Sequence, residues 1–297
     1  MRIAQIVLPD ASEYERKSQR IDHAIFAVAH DVNLVALDDI HNAHADVAHI
    51  YASSKLPPSQ LVGFPIPYIA NADIARTRWP FRKPAVPDYV VSPLIEKVEQ
   101  SRFQPLPEAV EDAYFQWAVS SEQWAEAKPQ SKSPSSSADC PLPTAHSKVI
   151  GTFGPARQNV ASLVERTLVR IHRMRDDVEW QLFDHVPSPN DLRTVDLWVD
   201  PASDEADLDG FVAEAIACEI AVVATRTPIN NQRLEKGRTG FLVPCNDPNE
   251  LAHAILGALF KPEVAQRKIE AARQTASKFR PRQRFRILSH LYETLIS

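Results

Sequence analysis

The amino-acid sequence predicts an α/β fold of two Rossmann-like domains with a C-terminal helical tail. In the first hundred residues, short apolar runs alternate with longer amphipathic segments, and the same alternation restarts near residue 148. Between them, residues 130–144 are rich in serine and proline and cannot form a core. The chain has 297 residues, which suits two domains of ordinary size. We therefore predict an N-terminal domain at 1–103, a connector at 104–147 and a C-terminal domain at 148–297.

The first domain opens with an apolar strand that ends at Pro9. A helix follows, because Ser12 can cap its N-terminus, acidic residues fill its first turn and apolar side chains recur on one face. The predicted strands of this domain are residues 3–8, 32–37, 47–52, 68–70 and 89–91, and the predicted helix is residues 13–30.

The second domain repeats this pattern and ends in helices. Asp247 and Pro248 form a cap followed by a proline at the first helical position, and Pro262 and Pro281 each open a further helix. The predicted strands are residues 148–154, 179–183, 197–199, 220–224 and 241–243, and the predicted helices include 159–174, one that contains Glu214, 251–260 and 282–296.

Composition and charge exclude several classes of function. A formal net charge of -5 gives no overall attraction to nucleic acid, so we expect no nucleic-acid partner. Three scattered cysteines form neither a disulfide framework nor a zinc pattern, and we expect no metal site. No run approaches the roughly 20 apolar residues that cross a bilayer, and the first strand is too short for a secretion signal. We expect a cytoplasmic protein, at most peripheral to the inner face of the membrane.

The most informative segment is residues 211–225 together with 235–244. The first part contains Glu214-Ala-Ile-Ala-Cys-Glu219 and predicts a helix followed by a buried strand. The second part predicts a glycine turn and a short strand. Glu214 falls at the start of its helix, where backbone N–H groups favour anions and polar ligand groups. A carboxylate that only complements the helix dipole is the alternative.

These residues resemble the nucleotide-sugar half of family 4 glycosyltransferases, in which a Glu-Ala-Met-Ala-Cys-Gly helix precedes a Pro-Val-Val-Ala-Thr strand. The resemblance covers residues 149–297 and the first domain only in outline. It implies the GT-B fold, in which two Rossmann-like domains face a cleft and the terminal helix crosses back to the first domain. It also implies a nucleotide diphosphate sugar as the donor substrate, with no cofactor and no metal.

Residues after the first strand of the second domain are candidates for donor phosphate. Gly151 and Gly154 would permit a close backbone approach, and Arg157 is a forked cation suited to phosphate. A surface arginine in a tight turn is the alternative. The resemblance expects an arginine where Thr152 stands, and we include Thr152 with the donor residues.

The resemblance also concerns the ribose of the donor. It assigns Glu214 to the ribose hydroxyls, since a carboxylate can accept two hydrogen bonds. The partner glutamate is expected at Ala206 and a glycine at Glu219, so both positions depart from the family. The acidic residues around Ala206 are better explained as a solvated turn.

Residues 225–232 follow the buried strand and are interpreted as a loop at the donor edge. Thr225 and Thr227 are its candidate donor-binding side chains. A plain loop with no ligand is the alternative.

The first domain offers weaker candidates on the acceptor side. His49 lies in a strand similar to one of the family's, where it is mostly scaffold. Arg76 and Arg78 belong to a basic-aromatic segment that could meet an anionic acceptor or lipid headgroup, although a surface loop is the preferred interpretation. No catalytic residue is identified.

We thus predict a glycosyltransferase that transfers a sugar with retention to a sugar, a lipid-linked or a small-molecule acceptor. The alternative is a degenerate relative that acts as a binding or regulatory partner. An NAD-dependent enzyme is disfavoured because no GxGxxG turn is present. The oligomeric state is not indicated.

Overall fold

The computed structural model divides the chain into two compact units. Unit 1 comprises Met1–Glu111, Asp204–Asp209 and Ala276–Ser297, and unit 2 comprises Asp112–Ser203 and Gly210–Thr275. The structure describes residues 1–9, 11–51, 66–71, 89–92, 103–106, 108–115, 147–154, 160–202 and 209–297. Each unit contains one sheet, and every strand pairing in both sheets is parallel. The predicted α/β class with two Rossmann-like regions is confirmed.

Unit 1 is built on a six-stranded sheet with the order β2-β1-β3-β4-β5-β6. All of β3 and the four middle residues of β1 are buried, as expected for a parallel sheet covered on both faces. The strands are β1 (Arg2–Val7), β2 (Asp31–Leu34), β3 (Val47–Tyr51), β4 (Tyr68–Asn71), β5 (Tyr89–Ser92) and β6 (Phe103–Pro105). Three-residue β6 ends in a proline and was not expected from the sequence.

Helix α1 (Glu13–Phe26) connects β1 to β2. Ser12 caps it as predicted, with its hydroxyl accepting the Glu15 N–H. The helix is shorter than expected because the chain turns after Phe26, whose carbonyl accepts both the Ala29 and the His30 N–H. Pairing with β1 begins at Asp31, so residues 27–30, which were predicted as helix, form the turn between α1 and β2.

The C-terminal helix α8 (Pro281–Ile296) belongs to unit 1. It packs on α1 and β3, and Leu288, Leu291 and Tyr292 join the same apolar core as Phe26 and Val47. A short 3-10 helix, Ala276–Phe279, precedes it. Unit 1 is therefore assembled from both ends of the sequence.

Unit 2 contains a five-stranded sheet with the order β11-β10-β9-β7-β8. Its strands are β7 (Lys148–Phe153), β8 (Val178–Phe183), β9 (Leu197–Asp200), β10 (Val222–Thr225) and β11 (Phe241–Val243). The helices are α2 (Val160–His172), α3 (Pro189–Leu192), α4 (Val212–Ala217), α5 (Pro228–Arg233), α6 (Pro248–Phe260) and α7 (Pro262–Thr275). Their apolar faces enclose the core around β7, β9 and β10.

In the described part of the chain, no helix is both long enough and apolar enough to cross a membrane.

Candidate functional site

The carboxyl ends of the unit 2 strands form the edge at which open α/β sheets bind ligands. β9 ends at Asp200 and β10 ends at Thr225. Five of the sequence-predicted donor residues belong to the strands or their ends, and Glu214 lies in α4. The five are Gly151 and Thr152 in β7, Gly154 directly after it, Thr225 at the end of β10, and Thr227 two residues later. Arg157 lies outside the described residues.

Gly151 and Thr152 lie inside the sheet, where their surroundings are other parts of unit 2. The Thr152 side chain is fully buried, and its hydroxyl donates to the carbonyl of Val199 over 2.5 Å. A Cβ on Gly151 would lie 2.8 Å from Val195 Cγ1 and 2.9 Å from Trp198 Cε3. Both residues therefore hold β7 against β9.

We expect Gly151→Ala to lower the free energy of unfolding by about 1–3 kcal/mol, the usual range for overpacking a core. The added methyl group would push Trp198 or Val195 aside, and both are buried. Thermal unfolding measures the effect. Gly257→Ala is the matched control, because nothing lies within 4 Å of a Cβ there and alanine favours a helix. Weaker nucleotide binding at unchanged stability would contradict this packing role.

Gly154 lies at the end of β7, beside an exposed leucine. Its N–H donates to the carbonyl of Phe183 over 3.1 Å. A Cβ on Gly154 would lie 2.5 Å from Leu182 Cδ1, so the leucine covers this glycine. Leu182 is 49% exposed, and it lies beside Gly154, one of the candidate phosphate-binding residues. No motif in the sequence singles out Leu182, and sequence reasoning missed it.

Helix α4 carries Glu214 as its third residue. Every residue of α4 is buried, and the Glu214 side chain has no exposed surface. The helix packs on β9, β10 and α5. It begins after Phe211, which has φ 51° and whose ring meets the ring of Phe153 edge-on at a centroid distance of 4.8 Å. Glu214 is thus a fully buried acidic side chain in a helix that packs on β9 and β10.

Cys218 directly follows α4, and its thiol lies in the same buried environment as Glu214. Burial raises the pKa of its thiol from 9.0 to about 12, and the charge of nearby Glu214 adds to the shift. Because the thiolate is the reactive form, a raised pKa protects a cysteine from alkylation. The exposed Cys245 lacks this protection.

At pH 8.5 we expect iodoacetamide to modify Cys245 at least tenfold faster than Cys218 in the folded protein. Peptide mapping by mass spectrometry separates these sites from Cys140. In urea the two rates should converge, since burial is then lost. Equal rates under native conditions would show that the α4 segment opens readily.

Glu219 stands where the family resemblance expects glycine, and the structure explains how it is tolerated. Its φ is 59°, the left-handed region that glycine adopts most easily. The Arg273 guanidinium donates from Nε and from one terminal nitrogen to the two Glu219 carboxylate oxygens, at 2.9 and 3.1 Å. This ion pair accompanies a backbone conformation that is unusual for a residue with a side chain. The turn at Glu219 ends α4, and the Ile220 N–H donates there to the Ala215 carbonyl. Strand β10 consequently starts later than predicted.

The loop predicted at residues 225–232 is wrong over most of its length, because helix α5 begins at Pro228. Thr227 is its N-cap and accepts the Asn230 N–H over 3.2 Å. Thr-Pro is the same start signal as Asp247-Pro248, so the sequence contained the information. Thr225 is fully buried, and its hydroxyl donates to the carbonyl of Ala202 over 2.5 Å. Both threonines thus hold the local fold.

A buried polar pair that sequence reasoning missed joins the ends of β9 and β10. The Asn230 side-chain amide donates to Asp200 Oδ2 over 2.7 Å and to the carbonyl of Thr225 over 3.1 Å. Both Asp200 and Asn230 have no exposed surface. The sequence contained one sign of this pair, because Asp200 is a single charged residue at the end of the otherwise apolar strand β9.

In unit 1 the candidate His49 lies in the interior of the sheet. The residue is fully buried, its ring stacks on Tyr51 at 4.3 Å, and its Nδ1 lies 2.6 Å from the Tyr292 hydroxyl. Its role on the acceptor side stays a prediction. Arg76 and Arg78 lie outside the described residues, so their roles also stay predictions.

Comparisons with known proteins agree with this architecture. The family model "Glycosyl transferases group 1" matches residues 143–260, which is less than half of the chain. No curated protein matches. Several solved structures match at low identity. They include Anabaena HepE in complex with UDP (12% identity, TM-score 0.69, covering 99% of this chain and 100% of that one). Sucrose-phosphate synthase from Thermosynechococcus elongatus also matches (13%, 0.68, 99% of each chain), as does a glycosyltransferase from Rickettsia africae (13%, 0.66, 100% and 99%).

These likenesses show the fold. The chain has the α/β architecture of GT-B glycosyltransferases, with two parallel-sheet Rossmann-like regions and a helical C-terminus. The family match falls on unit 2, from the segment before β7 to the end of α6. Assignment to family 4 in particular stays a prediction.

Proposed function

We propose that the protein is a glycosyltransferase that binds a nucleotide diphosphate sugar in unit 2 and transfers the sugar to an acceptor hydroxyl. The observation that carries this proposal is the buried Glu214 at the start of α4, within the segment that matches the group 1 glycosyltransferase model. Structures of Anabaena HepE with UDP and with UDP-glucose support a donor of this chemistry, because that protein shares the fold.

The proposed chemistry needs few protein groups. The bond between the sugar and the diphosphate breaks, and its electron pair leaves with the diphosphate. The acceptor oxygen bonds to the same carbon with retention, and the acceptor proton passes to the departing diphosphate. Arg157 neutralises charge on the departing diphosphate, while Glu214 accepts hydrogen bonds from the ribose. Both effects lower the barrier by positioning and by charge stabilisation. We propose that the reaction needs no cofactor and no metal, and we assign it to the cytoplasm because three scattered cysteines are too few for a disulfide scaffold.

A degenerate, non-catalytic relative is the second candidate. One observation favours it specifically. Thr152 occupies the position where the family resemblance expects an arginine, and its hydroxyl is fully buried and bonded to Val199. To contact a donor, the Thr152 hydroxyl would have to give up its bond to Val199. A partner or regulator would tolerate this loss, whereas an enzyme must hold the diphosphate with its remaining cation.

Calorimetric titration with UDP, GDP and their glucose and mannose conjugates tests the proposal. We expect binding by the wild type and at least tenfold weaker binding by Arg157→Ala and by Glu214→Gln. Arg166→Ala is the matched control, because Arg166 is an exposed residue on the surface of α2. Unchanged affinity in both test variants would contradict the donor site. A wild type that binds none of these nucleotides would favour the non-catalytic relative.

A further inference from the structure

We infer that the buried Asp200–Asn230 pair positions the turn before helix α4. Because α4 carries Glu214, the pair thereby sets the affinity for the donor. This inference rests on the proposed function for its ligand, but its structural part can be tested without one. Neither residue was predicted as a site residue, and neither belongs to the motifs that carry the family resemblance.

The pair ties together three chain segments at the sheet edge. Asp200 ends β9, and its carboxylate accepts the Asn230 amide, which also donates to the last carbonyl of β10. The backbone N–H of Asn230 donates in turn to the Thr227 hydroxyl. One asparagine at the start of α5 therefore holds the ends of both strands.

Gly210 connects this pair to Glu214. A Cβ on Gly210 would overlap Cγ and Oδ2 of Asp200, so the glycine backbone packs directly against the carboxylate. The indole N–H of Trp198 donates to the Gly210 carbonyl over 2.8 Å and holds the turn from a second direction. Phe211 then adopts a left-handed conformation with φ 51°, which is unfavourable for a residue with a side chain. Contacts must maintain this strained turn, and helix α4 begins immediately after it.

The charge and burial of the pair argue that it has a purpose beyond filling space. An aspartate and an asparagine without exposed surface cost desolvation that an apolar pair would avoid. Leucine has the same branching as both side chains. A double leucine variant is therefore expected to fold, because replacing both partners of a buried hydrogen bond by apolar groups of similar shape can be nearly neutral.

The experiment compares Asp200→Leu/Asn230→Leu with the wild type by two measurements. Hydrogen exchange by mass spectrometry follows the amides of residues 210–217, and calorimetry follows the affinity for UDP and UDP-glucose. We expect a thermal midpoint near that of the wild type, exchange at 210–217 at least tenfold faster, and donor affinity at least tenfold weaker. Ile255→Ala is the control for general loss of stability, because Ile255 is buried in α6 within the unit 2 core.

The outcomes separate this inference from the proposed function. If the wild type binds the donor and the double variant shows native exchange and native affinity, the inference is wrong while the function stands. The inference is also wrong if Ile255→Ala weakens binding and accelerates exchange at 210–217 as much as the double variant does. If the wild type binds no nucleotide, the function and the donor role both fail, and exchange at 210–217 still decides whether the pair positions the turn.

Discussion

Arg284→Ala is expected to lower the free energy of unfolding of unit 1 by about 3–5 kcal/mol, because it leaves a buried aspartate without its main partner. The Arg284 guanidinium donates from Nε and from one terminal nitrogen to the two carboxylate oxygens of Asp22, at 2.6 and 2.8 Å. Both side chains are at most 1% exposed. Burial is the largest single influence and would lower the pKa of Arg284, but the charge and hydrogen bonds of Asp22, together with Tyr14 and Tyr51, outweigh it and raise the pKa, so the guanidinium stays protonated.

A polar network surrounds this pair and increases the cost of breaking it. The Tyr51 hydroxyl donates to Asp22 over 2.9 Å, and the same hydroxyl lies 3.1 Å from His49 Nδ1. His49 Nδ1 also approaches the Tyr292 hydroxyl on α8. Burial raises the pKa of Tyr51 and of Tyr292 well above the ordinary value, so both remain neutral donors. Arg284 is thus the charged centre of the contact between α8, α1 and β3.

Hydrogen exchange of peptides from α1 and α8 in increasing urea measures the effect on unit 1 alone. Arg286→Ala on the exposed side of the same helix is the control and should stay within about 0.5 kcal/mol of the wild type. The double variant Asp22→Leu/Arg284→Met should recover most of the loss, since it removes both charges. If Arg284→Ala costs no more than its control, α8 does not depend on the ion pair.

The second large effect is expected in unit 2, where Trp198→Ala should cost about 3–5 kcal/mol. The Trp198 side chain is fully buried in β9, where it fills the space beside Gly151 and lies 5.8 Å from the Phe183 ring. Its removal leaves a cavity in the middle of the sheet. It also removes the donor to the Gly210 carbonyl, so the turn before α4 loses one of its two supports.

Trp198→Phe separates these two contributions. Phenylalanine keeps most of the apolar volume but lacks the N–H, so we expect a loss of about 1–3 kcal/mol, the cost of leaving a buried acceptor unsatisfied. Calorimetry measures the thermal unfolding of unit 2 in both variants. Leu182→Ala serves as the control because its side chain is half exposed. Similar midpoints for Trp198→Ala and Leu182→Ala would contradict a central packing role.

The fold was largely predictable because its elements carry strong local signals. Apolar strands such as Val47–Tyr51 and proline-opened helices such as Pro248–Phe260 appear close to where the sequence places them. The errors lie at the ends of elements, where the chain turns without a clear sequence signal. The turn after Phe26 ends α1 early, and the left-handed backbone of Glu219 delays β10.

The candidate site was only partly predictable because a motif does not show what surrounds a residue. Gly151 was interpreted as a phosphate-approach glycine, whereas Trp198 occupies the space that it leaves free. Asp200 and Asn230 are separated by 30 positions and meet only in the folded sheet. Glu214 was proposed as a site residue because the sequence of its whole helix resembles the family pattern. That pattern does not predict the complete burial of Glu214.

The placement of α8 in unit 1 has a consequence for synthesis of the protein on the ribosome. Asp22 and Arg284 are 262 positions apart, so the N-terminal sheet waits for the synthesis of more than 250 further residues before helix α8 can pack on it. Unit 2 ends at Thr275 and can close its core earlier. We expect this to reverse the usual order during translation, in which N-terminal domains fold first. Until residues 281–296 are synthesised, the apolar surface of Phe26 and Val47 lacks this helix, and we expect a nascent chain stalled before residue 281 to be the form most exposed to chaperones and proteases.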